Sequence, residues 1–111
     1  MRIEKRADSS RSPERSNVAK PAILLSPRFL AGLKHLSETE LTRVGEALQV
    51  LPDCFAQPHV HAGISIRRLR NNIFECRAGL KIRILFRPNA QALEVFFVGN
   101  QDDVRRFIRQ L

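Results

Sequence analysis

The sequence predicts a single α+β domain in which an N-terminal helical hairpin packs on a four-stranded antiparallel sheet and a C-terminal helix follows. Three observations lead to this fold class. Two segments between residues 26 and 52 carry apolar residues with the helical period of about 3.6. Four short segments between residues 63 and 98 have the alternating period of a strand, and a third helical pattern comes last. A chain of 111 residues normally has one core, so we expect residues 21–111 to form one domain.

Capping residues predict where the first two helices begin. Ser26-Pro27 combines a typical N-cap with proline at the first helical position, where no backbone N–H is needed. The apolar face of this helix consists of Phe29, Leu30, Leu33 and Leu36. Ser37 and Glu40 form a capping-box pattern for the second helix, which we expect Pro52 to end. Its apolar stripe consists of Leu41, Val44, Leu48 and Leu51.

The predicted strands cover residues 63–69, 73–77, 80–87 and 93–98. Turn signals separate them at Asn71-Asn72, Gly79 and Pro88-Asn89. The third strand alternates most clearly: its apolar side consists of Leu80, Ile82, Ile84 and Phe86, and its basic side of Lys81, Arg83 and Arg87. Because the turns are short, we expect an antiparallel meander with one face on the helices and the other face exposed and basic.

A third helix is predicted after Asn100, which suits an N-cap. Acidic residues at its start and basic residues towards its end both interact favourably with the helix dipole. These are Asp102 and Asp103 at the start and Arg105, Arg106 and Arg109 towards the end. Its apolar stripe consists of Val104, Phe107, Ile108 and Leu111.

Residues 1–20 are polar, rich in serine and arginine and without an apolar period, so we expect a flexible N-terminal arm. The chain contains no run near the roughly 20 apolar residues that span a bilayer. Its start also lacks the hydrophobic segment of a signal peptide. We therefore expect a cytoplasmic protein that does not bind membranes.

Cysteine and histidine spacing gives no support for a metal site or a small-molecule cofactor. Cys54 and Cys76 are far apart and form no CxxC pair, so we expect two reduced, apolar cysteines. His59 and His61 have ligand spacing, but no third ligand is near them in the sequence.

Basic residues dominate the formal charge, which is +8. Between Arg67 and Arg87 there are seven Lys or Arg residues and one acid, Glu75. Strand alternation puts Glu75, Arg77, Lys81 and Arg83 on one side of the sheet. Arginine forks form paired hydrogen bonds with phosphate, so we expect this face to bind a polyanion such as RNA. The alternative is an ordinary solvated sheet face.

In residues 69–86 (LRNNIFECRAGLKIRILF), a Leu-Arg ending is followed by a turn, an aromatic residue, alternating basic residues, a glycine and a basic–apolar alternation. This block resembles the central strand pair of the RelE/ParE superfamily, the toxins of type II toxin–antitoxin systems. Residues 95–100 (VFFVGN) resemble the family's last core strand and the turn after it. The resemblance covers about residues 27–111 and implies a RelE/ParE-like fold and a cognate antitoxin as partner.

RelE-like members are ribosome-dependent endoribonucleases that cut mRNA and so repress translation, whereas ParE-like members poison DNA gyrase. The resemblance favours the first activity, with mRNA on the ribosome as substrate. It implies catalytic roles for Arg83, at the position of the family's phosphate-stabilising arginine, for Arg77 on the preceding strand, and for Glu75 as base at a position where RelE has lysine. The implied RNA-binding residues are Arg67, Arg68, Arg70, Lys81 and Arg87.

The chain departs from RelE at two positions. RelE carries an arginine just after its last strand and a tyrosine in its C-terminal segment. Here the first stretch is Gly99-Asn100-Gln101, and the chain has no tyrosine, so the general acid is unassigned. Two alternatives to the ribonuclease therefore stay open: a gyrase inhibitor without catalysis, and a non-toxic module that keeps the fold and the antitoxin contact.

Overall fold

The computed structural model describes residues 20–57 and 63–111. In chain order the elements are β1 (Ala22–Leu25), α1 (Pro27–Leu33), α2 (Glu38–Ala56), β2 (Arg67–Arg68), β3 (Phe74–Ala78), β4 (Ile82–Asn89), β5 (Ala92–Asn100) and α3 (Gln101–Arg109). The predicted α+β class is confirmed. The N-terminal arm predicted for residues 1–20 lies outside the described residues except for Lys20, as do His59 and His61.

The sheet has five strands in the order β1-β5-β4-β3-β2, and it is mixed. Strand β1 runs parallel to β5, with Ala22 opposite Ala92 and Leu25 opposite Val95, while the other neighbours are antiparallel. The four predicted strands form the expected antiparallel meander, and the prediction missed the fifth strand, β1, which makes the sheet mixed. A four-residue strand that pairs with a partner about 70 positions later has no turn signal beside it, so local patterns did not reveal it.

The caps predicted for the helices are present. Ser26 Oγ accepts a hydrogen bond from the Phe29 backbone N–H at 3.1 Å. Ser37 and Glu40 satisfy each other's backbone donors at 3.1 and 2.9 Å. Three residues of the predicted apolar stripes, Leu30, Leu41 and Leu111, are exposed and not buried.

Helix α2 continues through Pro52 to Ala56, so the prediction that this proline ends the helix was wrong. Proline in a helix removes one hydrogen bond, and here the extra turn gains aromatic packing that offsets the loss. The ring of Phe55 lies 5.4 Å from that of Phe74 and 5.8 Å from that of Phe86, both edge-on.

Two strands begin and end elsewhere than predicted because of left-handed residues. Ser65, with φ of 48°, breaks the first predicted strand, which is reduced to Arg67–Arg68. Leu80 lies in the β3–β4 turn with 86% of its surface exposed, instead of on the buried side of a strand. At the other end β4 includes Pro88 and Asn89, and the chain turns at Ala90 with φ of 44°.

Helices cover parts of both faces of the sheet. The main core lies between α1, α2 and one face, and a second apolar cluster lies between α3 and the other face. A β-bulge in β5 creates this second cluster: Leu85 pairs with Phe97 and Phe86 with Val95, so Phe96 is the extra residue. Phe96 and Phe97 both pack towards α3. The face predicted to be wholly exposed and basic is therefore partly apolar and covered.

Candidate nucleic-acid interface

Strand register brings four of the predicted site residues together beside α3. Arg67 of β2 pairs with Glu75 of β3, and Arg77 of β3 pairs with Arg83 of β4. Phe74, Cys76 and Ala78 belong to the main core, so the alternating Glu75 and Arg77 point to the opposite face. We call Arg67, Glu75, Arg77 and Arg83 the basic face.

Arg77 and Arg83 are the closest like charges on the basic face. Directly opposed residues in an antiparallel pair have Cα atoms about 4.5–5.5 Å apart, and like charges at that spacing repel each other. Arg83 is half-buried, and its Nη1 donates to the Leu80 carbonyl at 3.2 Å in the β3–β4 turn. None of the ion pairs found within residues 20–57 and 63–111 includes Arg77 or Arg83. An anion bound between them would relieve the repulsion.

Glu75 is the only buried charged residue in the described part of the chain. Its Oε1 accepts a hydrogen bond from Nε of Arg67 at 2.8 Å. The side chain of Glu75 is 7% exposed, whereas that of Arg67 is 67% exposed. The carboxylate thus lies below the guanidinium that it binds.

The other predicted RNA-binding residues lie apart from the basic face. Arg68 alternates away from Arg67 on β2, Arg70 lies in the turn before β3, and Lys81 precedes β4. Arg87 is on β4, but its guanidinium lies 4.5 Å above the ring of Phe96. Its Nε is 3.4 Å from Oε1 of Glu94 without forming a hydrogen bond. RNA contacts by these four residues stay predictions.

Both cysteines are buried in the main core and neither forms a disulfide. Burial first, and then the nearby Glu75 carboxylate and Cys54, together raise the pKa of the Cys76 thiol from 9.0 to about 12. Cys76 is therefore an apolar core residue and not a nucleophile.

Residues 20–57 and 63–111 contain no group of three or more His, Cys, Asp or Glu side chains placed to hold a metal ion. Over the same residues, no helix has both the length and the apolar character needed to cross a membrane.

Comparison with models of protein families and with curated proteins gives no match. Comparison with solved structures gives clear matches at low sequence identity. The RelB–RelE antitoxin–toxin complex of Methanococcus jannaschii matches with a TM-score of 0.58 and 16% identity, over 76% of this chain and 96% of that chain. YafQ of Escherichia coli matches with a TM-score of 0.61 and 11% identity, over 77% of this chain and 98% of that chain.

The toxin–antitoxin complex RelBE2 of Mycobacterium tuberculosis matches with a TM-score of 0.56 and 18% identity, over 75% of this chain and 100% of that chain. This chain thus spans nearly the whole length of each matched structure. The chain has the fold of the RelE-type toxins. The resemblance seen in the sequence is confirmed at the level of the fold.

In this RelE-type fold, the residues after the last strand form a helix cap. Asn100 Oδ1 accepts from the Asp103 backbone N–H at 2.8 Å, and Asp103 Oδ2 accepts from the Asn100 backbone N–H at 2.9 Å. A side chain at Gly99 would place its Cβ 2.7 Å from Asp103 Cβ, so α3 starts directly against the strand. The stretch that carries an arginine in RelE therefore fixes the start of α3 here.

Sequence reasoning missed a cleft of about 570 Å³ at this end of the RelE-type fold. Its walls include Arg28 and His35 from the first helical segment, Lys81, and Asn100. Arg28 also places its guanidinium 4.8 Å from the ring centre of Phe107 and 5.4 Å from that of Phe97. Arg28 and Phe107 are 79 positions apart, and no local sequence pattern predicts that they are in contact. Phe107 packs in the second cluster, as its apolar stripe predicted.

Proposed function

We propose that this chain is the toxin of a type II toxin–antitoxin system and cleaves mRNA on the ribosome, in the cytoplasm, thereby repressing translation. The observation that carries the proposal is the pairing of Arg77 with Arg83 on adjacent strands of a RelE-type fold. Guanidinium groups on directly opposed residues of adjacent strands can both reach the non-bridging oxygens of one phosphodiester.

Cleavage of this kind uses the RNA's own 2′-hydroxyl. The 2′-oxygen loses its proton to a base and attacks phosphorus, the bond to the 5′-oxygen breaks, and that oxygen takes a proton from an acid. Arg83 and Arg77 stabilise the negative charge that develops on the phosphate oxygens during the attack. Glu75 is the one carboxylate on the basic face, and the resemblance to RelE implies the role of base for it.

Phosphate contacts outside the reacting centre are assigned to Arg67 on the basic face and to Arg68, Arg70 and Lys81 around it. Arg87, near the far end of β4, is the remaining residue predicted to bind RNA. Such contacts position the strand without reading its sequence.

A cognate antitoxin is the proposed protein partner. The matched structures from Methanococcus jannaschii and Mycobacterium tuberculosis are complexes of a toxin with its antitoxin. This chain has a net charge of +8, so an acidic partner is favoured electrostatically. Neither a membrane nor a small-molecule cofactor has a part in the proposed reaction.

The test is induced expression in a bacterial host, with growth and the 5′ ends of cellular mRNA followed over time. Wild type is compared with Arg83→Gln and with Arg105→Gln, a control that removes the same charge from the exposed side of α3. We expect growth arrest and new mRNA ends with wild type and with the control, and neither with Arg83→Gln.

Other outcomes separate the alternatives. Growth arrest with intact mRNA and DNA-damage signalling would identify a gyrase inhibitor. Absence of arrest would identify a non-toxic binding module. The residues Gly99-Asn100-Gln101 favour this alternative, because they form a helix cap where RelE carries an arginine.

A further inference from the structure

We propose that Glu75 is a positioning residue and not the base: it holds Arg67 so that the free edge of the guanidinium faces the RNA backbone. This inference rests on the proposed function and changes the role that sequence similarity implies for Glu75. It assigns the Arg67–Glu75 pair to binding the phosphate next to the one that reacts.

Access argues against proton transfer to Glu75. A general base must come within about 2.6–3.2 Å of the hydroxyl that it deprotonates. The Glu75 side chain is only 7% exposed, and its Oε1 is already 2.8 Å from Arg67 Nε. The next residue across the sheet is Leu85, which is fully buried. A ribose hydroxyl would have to displace Arg67 before it could approach Oε1.

The hydrogen bond leaves Arg67 able to bind phosphate. A guanidinium carries five N–H donors, and Nε–H is the one that Glu75 accepts here. The four Nη–H donors are left for other acceptors, and the side chain is 67% exposed. The edge between the two Nη atoms presents parallel donors, which is the arrangement that matches two oxygens of one phosphate.

The position of Arg67 explains why its side chain needs a contact that restricts its rotamers. Strand β2 has two residues, lies at the edge of the sheet and follows the left-handed Ser65. A long arginine side chain on such an edge has many rotamers, and ordering them on binding weakens affinity. The Glu75 carboxylate, on the neighbouring inner strand β3, fixes one rotamer before RNA binds.

The row of Arg67 and Glu75 lies two residues along β3 from the row of Arg77 and Arg83. Two residues of a strand span about 6.6 Å. Arg67 is thus beside the paired arginines but separate from them, which suits contact with an adjacent phosphate of the same strand.

The experiment uses the purified full chain with ribosomes and mRNA, and compares wild type with Glu75→Gln, Glu75→Ala, Arg67→Gln and the Arg67→Gln/Glu75→Ala double variant. Glutamine keeps an oxygen that can accept from Arg67 Nε but is not a base. We expect Glu75→Gln to retain kcat within about threefold, with an unchanged rate–pH profile. Arg67→Gln and Glu75→Ala should each raise KM by about tenfold, and the double variant no further, because both changes remove one interaction.

A second measurement separates this inference from the proposed function. The Arg67 Nε–H signal in ¹H–¹⁵N spectra and the affinity for a single-stranded RNA oligonucleotide do not depend on cleavage. We expect the signal to be protected from exchange in wild type and lost in Glu75→Ala, with weaker RNA binding.

Each contrary result has a distinct meaning. A loss of kcat of about 100-fold or more in Glu75→Gln, with loss of the acidic limb of the pH profile, would make Glu75 the base and overturn the inference. An unchanged Arg67 signal and RNA affinity in Glu75→Ala would overturn it as well. If wild type binds RNA but does not cleave it, the proposed function fails, while the two binding readouts still decide the role of Glu75.

Discussion

At the residue scale, the neighbouring side chains decide which arginines are available to bind a ligand. Arg77 is exposed and Arg83 half-buried, with no acidic partner among the described residues. Arg87 has the same alternation on β4, yet it packs on Phe96 and lies beside Glu94. Alternation predicts the face on which a side chain lies but not what else lies on that face.

Arg87 is therefore expected to contribute to stability more than to RNA binding. A cation above an aromatic ring at a partly exposed site contributes about 1 kcal/mol, so Arg87→Gln should lower the free energy of unfolding by about that amount in urea titrations. RNA affinity should fall less than in Arg77→Gln. An equal loss of affinity in the two variants would show that Arg87 leaves Phe96 to contact RNA.

Cys76 predicts a specific dependence of stability on pH. The folded-state pKa is raised from 9.0 to about 12 by burial and then by Glu75, so between these values the folded protein keeps a proton that the unfolded chain has lost. The stability from this group is complete below about pH 9 and is lost as pH rises towards 12. The slope is at most about 1.4 kcal/mol per pH unit.

Urea titrations from about pH 8 to about pH 11 check this dependence. The alkaline slope should be shallower in Cys76→Ala than in wild type. Val44→Ala, which also shortens a buried side chain of the same core but removes no ionisable group, should keep the wild-type slope. Equal slopes in wild type and Cys76→Ala would show that this thiol titrates normally in the folded protein.

At the element scale, close packing of α1 on β5 depends on Gly32. An added Cβ there would lie 2.8 Å from Cγ1 of Val98, which is closer than side chains normally approach. We expect Gly32→Ala to lower the free energy of unfolding by about 1–2 kcal/mol. Combining it with Val98→Ala should cost less than the sum of the two single changes, because Val98→Ala removes the clashing methyl group.

Gly45→Ala is the matched control for that experiment. Gly45 is an exposed residue of α2, and an added Cβ would meet nothing within 4 Å. Here the higher helix propensity of alanine should stabilise the protein by about 0.5–1 kcal/mol. Opposite signs at two helical glycines would confirm the approach of α1 to the sheet, whereas stabilisation in both would contradict it.

Elements with local signals were predictable, and those that depend on distant partners were not. Ser26, Ser37 and Asn100 cap the three helices as predicted, since a cap involves only residues three positions apart. The predicted turn at Asn71-Asn72 is also present, and both residues have positive φ values, of 54° and 60°. Strand β1, the bulge at Phe96 and the passage of α2 through Pro52 all depend on packing against residues elsewhere in the chain.

The candidate site was likewise predictable only where it depends on local sequence patterns. Period two placed Glu75, Arg77 and Arg83 on one face, and the register confirms their proximity. The covering of that face by α3 and the burial of Glu75 under Arg67 required the three-dimensional arrangement. Lys81 was misplaced because its strand begins at Ile82, two residues later than predicted, which leaves Lys81 in the preceding turn.

At the scale of the whole molecule, a net charge of +8 predicts RNA binding that weakens steeply with salt. For single-stranded RNA, the slope of log affinity against log salt is about −0.7 per phosphate neutralised. Arg77→Gln should therefore reduce the slope by about 0.7, and Arg105→Gln should leave it unchanged. An unchanged slope in Arg77→Gln would exclude a phosphate contact by this residue.

The proposed activity is cleavage of ribosome-bound mRNA by paired arginines on a RelE-type sheet. Its most direct test maps the 5′ ends of an mRNA after incubation with ribosomes and the purified chain. We expect new ends with wild type and with Arg105→Gln, and cleavage at least about 100-fold slower with Arg83→Gln. Cleavage at the wild-type rate by Arg83→Gln, or intact mRNA in every sample, would contradict it.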